Sequence, residues 1–227
     1  MKHLVENRFM YYSIFGLKIN SMNNKMNVFK ISYLTALLFC TTFLNAQNID
    51  INILRDINVH RNTSLDPTFK TITNSAVPIS IAAPIIIYSV GLIQKDSTIK
   101  KQAIFIGETF LVSAFITTAL KRTIKRERPF DTYSDIDQAT SAPGYSFPSG
   151  HTSTAFATAT SLSMAYPKWY VIAPSFVWAS AVGYSRMHLG VHYPTDVFAG
   201  AIIGSGSAYI TYKANKWLNK KRSKKDR

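Results

Sequence analysis

Apolar positions along the chain gather into five long segments separated by polar stretches. These segments span residues 76–93, 103–120, 152–166, 170–184 and 197–212. The first two are long enough to cross a bilayer as helices. The last three are shorter and rich in Ala, Ser, Thr and Gly, small residues that let membrane helices approach closely. The pattern predicts an all-α, membrane-embedded bundle of five to six transmembrane helices, in which the last three segments form a tightly packed inner layer.

A further apolar run, residues 31–44, lies near the start of the chain. A short basic stretch precedes it and Ala46 follows it, which is typical of a secretory signal over 26–46 that is cleaved before Gln47. The alternative is an uncleaved first membrane helix, for which the run is short. Residues 1–25 are polar and without periodicity, and they are interpreted as a mis-assigned start or a disordered segment. Under each interpretation, Gln47 lies outside the cytoplasm.

Residues 47–75 mix polar and apolar positions and predict a periplasmic or interfacial segment. Ile49, Ile51 and Ile53 alternate with polar residues, which favours a short extended stretch. Beyond them the apolar residues recur irregularly. We therefore expect a partly helical segment that is interrupted near residues 62–66.

Basic residues predict the orientation of the bundle. The chain has a net charge of +14. Lysines and arginines occupy the connections 94–102 and 167–169 and the tail 214–227, and the positive-inside rule places these on the cytoplasmic side. The same assignment places residues 121–150 and 187–195 outside. We expect the basic tail to act as a topology signal that contacts anionic lipid.

Composition excludes several classes of protein. Charged residues make up 17% of the chain, below the roughly 25% that is usual in soluble domains. The single cysteine, Cys40, excludes an intrachain disulfide and argues against a thiolate metal site. The chain contains no nucleic-acid-binding motif, so a nucleic-acid partner is not expected.

Three short motifs join apolar segments to the predicted outer loops. They are Lys121 with Arg128 and Pro129, the run Pro148-Ser149-Gly150-His151, and Ser185-Arg186 with His192 and Asp196. Since the orientation places all three on one side, the topology brings them together. Their basic residues also lie on the side that the positive-inside rule disfavours, and phosphate binding explains that departure.

The motifs contain cations and backbone donors for a phosphoryl group. Lys121, Arg128 and Arg186 can bind its nonbridging oxygens. Ser149 adds a hydroxyl donor at the start of a helix, whose N–H groups bind anions readily. Gly150 lets the backbone approach the ligand closely.

Two histidines complete the predicted site. Pro194 is a typical first residue of a helix, which places His192 just before that helix and Asp196 in its first turn. The carboxylate of Asp196 can then fix the tautomer of His192, so that the other ring nitrogen attacks. His151, at the start of another helix, can protonate the leaving oxygen.

The three motifs resemble the signature motifs of the type 2 phosphatidic acid phosphatase superfamily, which includes vanadium haloperoxidases and bacterial acid phosphatases. The resemblance covers about residues 69–212 and is closest to the membrane branch. It implies an all-helical core, a phosphohistidine intermediate and no metal cofactor. It also implies that His192 is the nucleophile, Asp196 its partner and His151 the general acid. The residues that would hold the phosphate are Lys121, Arg128, Ser149, Gly150 and Arg186.

The sequence therefore predicts that residues 76–213 form a phosphatase domain in a bacterial inner membrane, with its site facing the periplasm. The expected substrate is a lipid phosphate such as phosphatidylglycerol phosphate, phosphatidic acid, undecaprenyl diphosphate or lipid A, with no obligate protein partner. The alternatives are a soluble periplasmic acid phosphatase, which acts on small phosphoesters, and vanadate-dependent halide oxidation. The membrane hypothesis is favoured because Glu108 is the only charged residue in 76–93 and 103–120.

Some residues near the motifs are interpreted as structural. His188 lies inside the third motif but not at a signature position. Asp131, Asp135 and Asp137 have a spacing that does not fit a known calcium loop, and a solvated loop is the favoured interpretation.

Overall fold

The computed structural model describes the backbone of residues 49–225 and the side chains of residues 49–221. The predicted signal or first membrane helix at 26–46, and residues 1–25, lie outside the described residues. The described residues from Asp50 onward form one compact unit.

The described residues are helical throughout, apart from turns and loops. The helices are α1 (residues 49–58), α2 (Asp66–Asn74), α3 (Ala76–Ile93), α4 (Ser97–Ile124), α5 (Pro129–Thr132), α6 (Gly150–Ala165), α7 (Trp169–His188) and α8 (Pro194–Lys225), with a 3-10 turn at Thr63–Leu65. Residues 49–225 contain no strand. The all-α prediction is confirmed.

Two helical stretches are long and apolar enough to cross a membrane, namely Thr63–Ile93 and Ser97–Thr132. They include α3 and α4, which pack against each other. Large apolar side chains such as Leu111 and Phe115 point away from the protein interior. The wider count of five to six membrane helices stays a prediction.

The inner layer is formed by α6 and α8, and close backbone approach explains its small residues. A Cβ atom added at Gly200 would lie 2.7 Å from the carbonyl oxygen of Ser149, and one at Gly204 would collide with the carbonyl oxygen of Ser153. The Ser153 hydroxyl lies 2.6 Å from that of Ser113 on α4. The predicted tight packing of small-residue helices is confirmed for α6 and α8. The third helix of the predicted inner layer, α7, packs on α6 and α2 and exposes Trp169, Tyr170 and Val177, so the inner layer holds two of the three predicted helices.

Hydrogen bonds show which helix ends lie together. Gln102 Nε2, near the start of α4, donates to the carbonyl of Ala165 at the end of α6 over 2.9 Å. At the opposite ends, the Ser149 amide at the start of α6 donates to the carbonyl of Asp196 at the start of α8 over 3.0 Å. The predicted gathering of the three motifs at one end of the bundle is confirmed.

The expectation of an extended stretch at Ile49–Ile53 is wrong, because residues 49–58 are helical. Ile51 and Leu54, three positions apart and hence on one helix face, are buried against Ile136 and Tyr193. This tertiary packing outweighs the local alternation. The expected interruption near 62–66 is confirmed by the turn that separates α1 from α2.

Candidate active site

A cavity of about 370 Å³ lies at the end of the bundle where the motifs meet. Its wall combines apolar side chains of α3 and α4, such as Val77 and Phe110, with motif residues. The motif residues in the wall are Lys121, Arg128, Gly150, His151, Arg186 and His192. No carboxylate lines the cavity among the described residues. The cavity therefore suits an anionic group.

His192 and Asp196 form a buried pair at the start of α8. Pro194 is the first residue of that helix, as predicted. His192 Nδ1 lies 3.3 Å from Asp196 Oδ2, and both side chains are almost fully buried. The other ring nitrogen, Nε2, lies 3.3 Å from Nη1 of Arg128. The pairing through Nδ1 leaves Nε2 at the cavity wall, next to a cation.

The carboxylate of Asp196 is saturated with donors. Its Oδ2 accepts hydrogen bonds from Ser146 Oγ and from the Tyr193 amide at 3.0 Å. Its Oδ1 accepts from Arg126 Nη1 at 2.8 Å. Burial by itself would raise the pKa of Asp196, but His192, Arg126 and Ser146 together hold it below its usual value. Asp196 is therefore ionised, and its hydrogen bonds fix the orientation of its carboxylate.

Main-chain carbonyls position Arg128. Its Nη1 donates to Val191 at 2.7 Å, its Nε to Gly144 at 2.8 Å and its Nη2 to Pro143 at 3.0 Å. The guanidinium thus joins the loop before α6 to the loop before α8. None of the described residues gives it a carboxylate partner, so its charge stays available to a ligand.

Arg186 and Lys121 have fewer protein partners. Arg186 is almost fully buried, and its Nη1 donates to Thr73 Oγ1 at 2.9 Å. Its Nε is buried and has no hydrogen-bond partner in the part of the chain that the structure describes. Lys121 Nζ donates to the carbonyl of Tyr145 at 2.6 Å. A buried donor without a hydrogen-bond partner destabilises the fold, and an anion in the cavity would supply the missing acceptor.

The start of α6 contributes the second histidine. His151 lines the cavity; burial, followed by the positive charges of Arg186 and Arg128, lowers its pKa to about 4. Burial also lowers the pKa of His192 to about 3, although Asp196 opposes the shift. Both imidazoles are therefore neutral near pH 7, and a bound phosphate dianion would favour protonation of His151.

The motif serine differs from the other residues that were predicted to hold the phosphate. Ser149 is buried, its hydroxyl lies 2.8 Å from Thr152 Oγ1, and it is not in the cavity wall. Gly150 does lie in the wall, and a Cβ atom there would come no closer than 3.9 Å to Lys121 and Thr117. Room for a ligand, rather than protein packing, accounts for a glycine at this position.

Other residues near the motifs are structural. His188 Nε2 lies 2.9 Å from Asp66 Oδ1, and its ring packs 4.2 Å from that of Phe69. The loop carboxylate Asp135 pairs with Arg55 at 2.7 Å, and Asp137 pairs with Arg61. These two aspartates therefore tie the outer loop to α1 and the turn after it, instead of being only solvated.

Sequence reasoning missed Arg126, Asp50, Ser146 and Thr73. Each donates to or accepts from a motif residue or its neighbour. Arg126 lies between the first-motif residues Lys121 and Arg128 but at no signature position, and the other three lie outside every motif. When a polar side chain contacts a motif residue that is far away in the sequence, the spacing of residues does not indicate that contact.

Comparisons with known proteins agree with this geometry. The family model of the PAP2 superfamily matches residues 102–220. An undecaprenyl-diphosphatase of Sulfolobus acidocaldarius is 34% identical over 111 residues, which cover 47% of this chain and 53% of that protein. A lipid A 1-phosphatase of Rhizobium johnstonii is 31% identical over 131 residues, covering 52% of each. The chain thus spans about half the length of these relatives.

Two crystal structures share the fold. Aquifex aeolicus LpxE superimposes with a TM-score of 0.63 at 28% identity, covering 73% of this chain and 95% of that one. A transmembrane PAP2 type phosphatidylglycerolphosphate phosphatase from Bacillus subtilis gives 0.64 at 24% identity, covering 77% and 88%. These likenesses, the family match over more than half the chain and the two apolar helices lead to one conclusion. The chain is a membrane protein that belongs to the PAP2 superfamily.

Proposed function

We propose that this protein is a phosphatase that hydrolyses a phosphate monoester or diphosphate of a membrane lipid through a phosphohistidine intermediate. One observation carries the proposal. Lys121, Arg128, Arg186, His151 and His192 line a single cavity, and no carboxylate of the described residues shares its wall. Three cations and two imidazoles around one space are the components that phosphoryl transfer requires.

In the first step, the Nε2 lone pair of His192 attacks phosphorus while the bond to the leaving oxygen breaks. Asp196 accepts the Nδ1–H of His192 throughout, which stabilises the positive charge that develops on the ring. His151 donates its proton to the leaving oxygen. The products of this step are the dephosphorylated lipid and phosphohistidine at His192.

In the second step, water attacks the phosphohistidine. His151, now neutral, accepts a proton from that water, and the P–N bond breaks to regenerate His192. When inorganic phosphate leaves, His151 loses this proton to solvent, because burial and the neighbouring cations lower its pKa to about 4, and binding of the next phosphate dianion favours its protonation again. The same residue acts first as acid and then as base, as microscopic reversibility requires.

Lys121, Arg128 and Arg186 bind the nonbridging oxygens in both steps. Charge on those oxygens is spread in the transition state, and cations held around the cavity stabilise it. We infer that these cations take the role that a divalent metal has in other phosphatases. Phosphate release that is unchanged by EDTA is the expected result.

A lipid substrate follows from the surroundings of the cavity. Val77, Phe110 and Ala114 line it beside the cations, and they belong to the two helices of the described chain that are long and apolar enough to cross a membrane. A head group at the cations would therefore have its chain in an apolar environment. Candidate substrates are phosphatidylglycerol phosphate, phosphatidic acid, undecaprenyl diphosphate and lipid A, in a bacterial inner membrane with the site facing the periplasm. The same apolar helices argue against a soluble acid phosphatase.

A phosphate-release panel tests the proposal. The purified protein in detergent is given each candidate lipid phosphate and a small soluble phosphoester, with and without EDTA or vanadate. We expect release from at least one lipid, resistance to EDTA and inhibition by vanadate, with His192→Ala inactive. Release from the soluble ester alone would favour the acid phosphatase, and activity that EDTA abolishes would contradict the metal-free mechanism.

A further inference from the structure

Arg126 contacts the oxygen of Asp196 that His192 does not use. Its Nη1 lies 2.8 Å from Asp196 Oδ1, whereas His192 pairs with Oδ2. Arg126 is absent from the cavity wall. One guanidinium therefore supports the predicted nucleophile pair without reaching the place where a phosphoryl group would bind.

Asp50 of α1 holds Arg126 in turn. Its buried carboxylate accepts from Arg126 Nη2 at 2.7 Å. It also accepts from the amide of Thr195 at 2.9 Å and from the Thr195 hydroxyl at 2.6 Å. The Arg126 guanidinium lies 3.8 Å from the centre of the Tyr193 ring, a distance that allows a cation–π contact. Asp50 and Arg126 thus fix the residues on both sides of Pro194, where α8 begins.

The helix that carries Asp50 is itself fastened to the loops of the site. Asn58, at the other end of α1, donates to the carbonyl of His188 at 2.9 Å and accepts from the amide of Asp137 at 2.9 Å. Leu54 between them is fully buried. Residues 50–58 therefore have a defined place beside the site, although the PAP2 family match begins only at residue 102.

We propose that Arg126, held by Asp50, is a positioning residue for His192, an inference that rests on the proposed function. A carboxylate with both oxygens bound cannot rotate, and a neighbouring guanidinium keeps it ionised. The proton then stays on His192 Nδ1, and the lone pair stays on Nε2, which attacks. Without Arg126, the Oδ1 oxygen of a buried anion loses its charged donor, and the orientation of Asp196 loosens.

Kinetics separate positioning from substrate binding. We expect Arg126→Gln and Asp50→Asn each to lower kcat about 10- to 100-fold, with KM changed less than about threefold because neither residue reaches the cavity. The double variant should lose no more activity than Arg126→Gln alone, since Asp50 acts through Arg126. Asp135→Asn is the matched control: it removes an ion pair to α1 that is exposed at both side chains, and kcat should not change.

Anion binding gives a readout that does not depend on turnover. Vanadate mimics the five-coordinate transition state, whereas inorganic phosphate mimics the ground state. Measured by thermal shift of the full chain in detergent, Arg126→Gln should weaken vanadate binding by about tenfold or more and phosphate binding by less than about threefold. This difference can be measured even in a protein that hydrolyses none of the lipids, so failure of the proposed function is recognised separately.

Three results would overturn the inference. The first is an unchanged kcat in Arg126→Gln beside an active wild type, and the second is a higher KM at constant kcat, which would mean direct substrate contact. The third is a double variant whose loss of kcat equals the product of the losses in the two single variants. If Arg126→Gln does not fold, the same kinetic measurements are made on Arg126→Lys and Asp50→Asn. Arg126→Lys keeps the positive charge with fewer donors, and Asp50→Asn keeps the shape of the aspartate.

Discussion

Nη1 of Arg128 lies 3.3 Å from Nε2 of His192, the nitrogen that we propose attacks phosphorus. Carbonyl groups from two loops hold the same guanidinium in place. A cation fixed beside the nucleophile needs little rearrangement when substrate arrives, which is how preorganised sites lower a barrier. Arg186 differs, because its one protein partner is Thr73 among the described residues and its Nε has none there.

This contrast predicts different outcomes for the same substitution. Arg186→Lys should lower kcat/KM about 10- to 100-fold, because lysine cannot present paired donors to the phosphate, while the unfolding temperature stays nearly constant. Arg128→Lys should lower both activity and unfolding temperature, because it also leaves carbonyls of the two loops without a donor. Phosphate release and thermal unfolding in detergent measure the two effects. Equal loss of stability in both variants would contradict the different roles.

His192 and His188 provide a second matched pair. His192→Ala should reduce turnover by at least about a thousandfold, since it removes the proposed nucleophile. His188→Ala breaks the contacts with Asp66 and Phe69, and should cost about 1–3 kcal/mol of stability with kcat nearly unchanged. Unfolding and phosphate release are measured on both. A large loss of kcat in folded His188→Ala would place that residue in the chemistry.

His151 should matter in proportion to the basicity of the leaving group. His151→Ala is expected to slow an alkyl phosphate about 100-fold or more, but an aryl phosphate with an acidic phenol far less, because a good leaving group needs no proton. The comparison uses kcat/KM for a series of esters whose alcohols differ in pKa. Equal losses across the series would contradict the role of general acid.

The cavity residues of the motifs could be predicted because each sits at a fixed offset from a helix start or end. Pro194 begins α8, so His192 and Asp196 must lie within one turn of each other. Ser149 shows the limit of this reasoning, because a motif position does not specify which way a hydroxyl points. In the structure it points to Thr152.

The support behind the site could not be predicted from spacing. Asp50 and Arg126 are 76 positions apart, and their contact depends on how α1 packs. The alternation of isoleucines in α1 favoured a strand, yet Ile51 and Leu54 also fit one helix face, and burial against Tyr193 decided between them. Short apolar runs are ambiguous in this way until tertiary contacts are known.

Two glycines of α8 test the packing of the inner layer. A Cβ atom at Gly204 would collide with the backbone of Ser153 on α6, whereas one at Gly206 meets nothing within 4 Å. Gly204→Ala should therefore destabilise the fold by about 1–3 kcal/mol, because backbone cannot move aside cheaply. Gly206→Ala should be neutral or stabilising by up to about 1 kcal/mol, from the better helix propensity of alanine. Unfolding in detergent compares them, and equal effects would argue against the close α6–α8 contact.

The buried position of His192 sets the expected pH dependence. Burial lowers its pKa to about 3 even though Asp196 opposes the shift, so the imidazole stays neutral and nucleophilic as the pH falls through about 6.5, the usual pKa of histidine. Between pH 7 and 5, kcat/KM should therefore follow the ionisation of the substrate phosphate, whose second pKa is about 6, and not that of His192. Profiles for two esters with different phosphate pKa values distinguish the two, because a limb that belongs to the substrate moves with it. A limb that remains near pH 6.5 for both esters, and that shifts when Asp196 is replaced by asparagine, would mean that His192 titrates there and is not held neutral by burial.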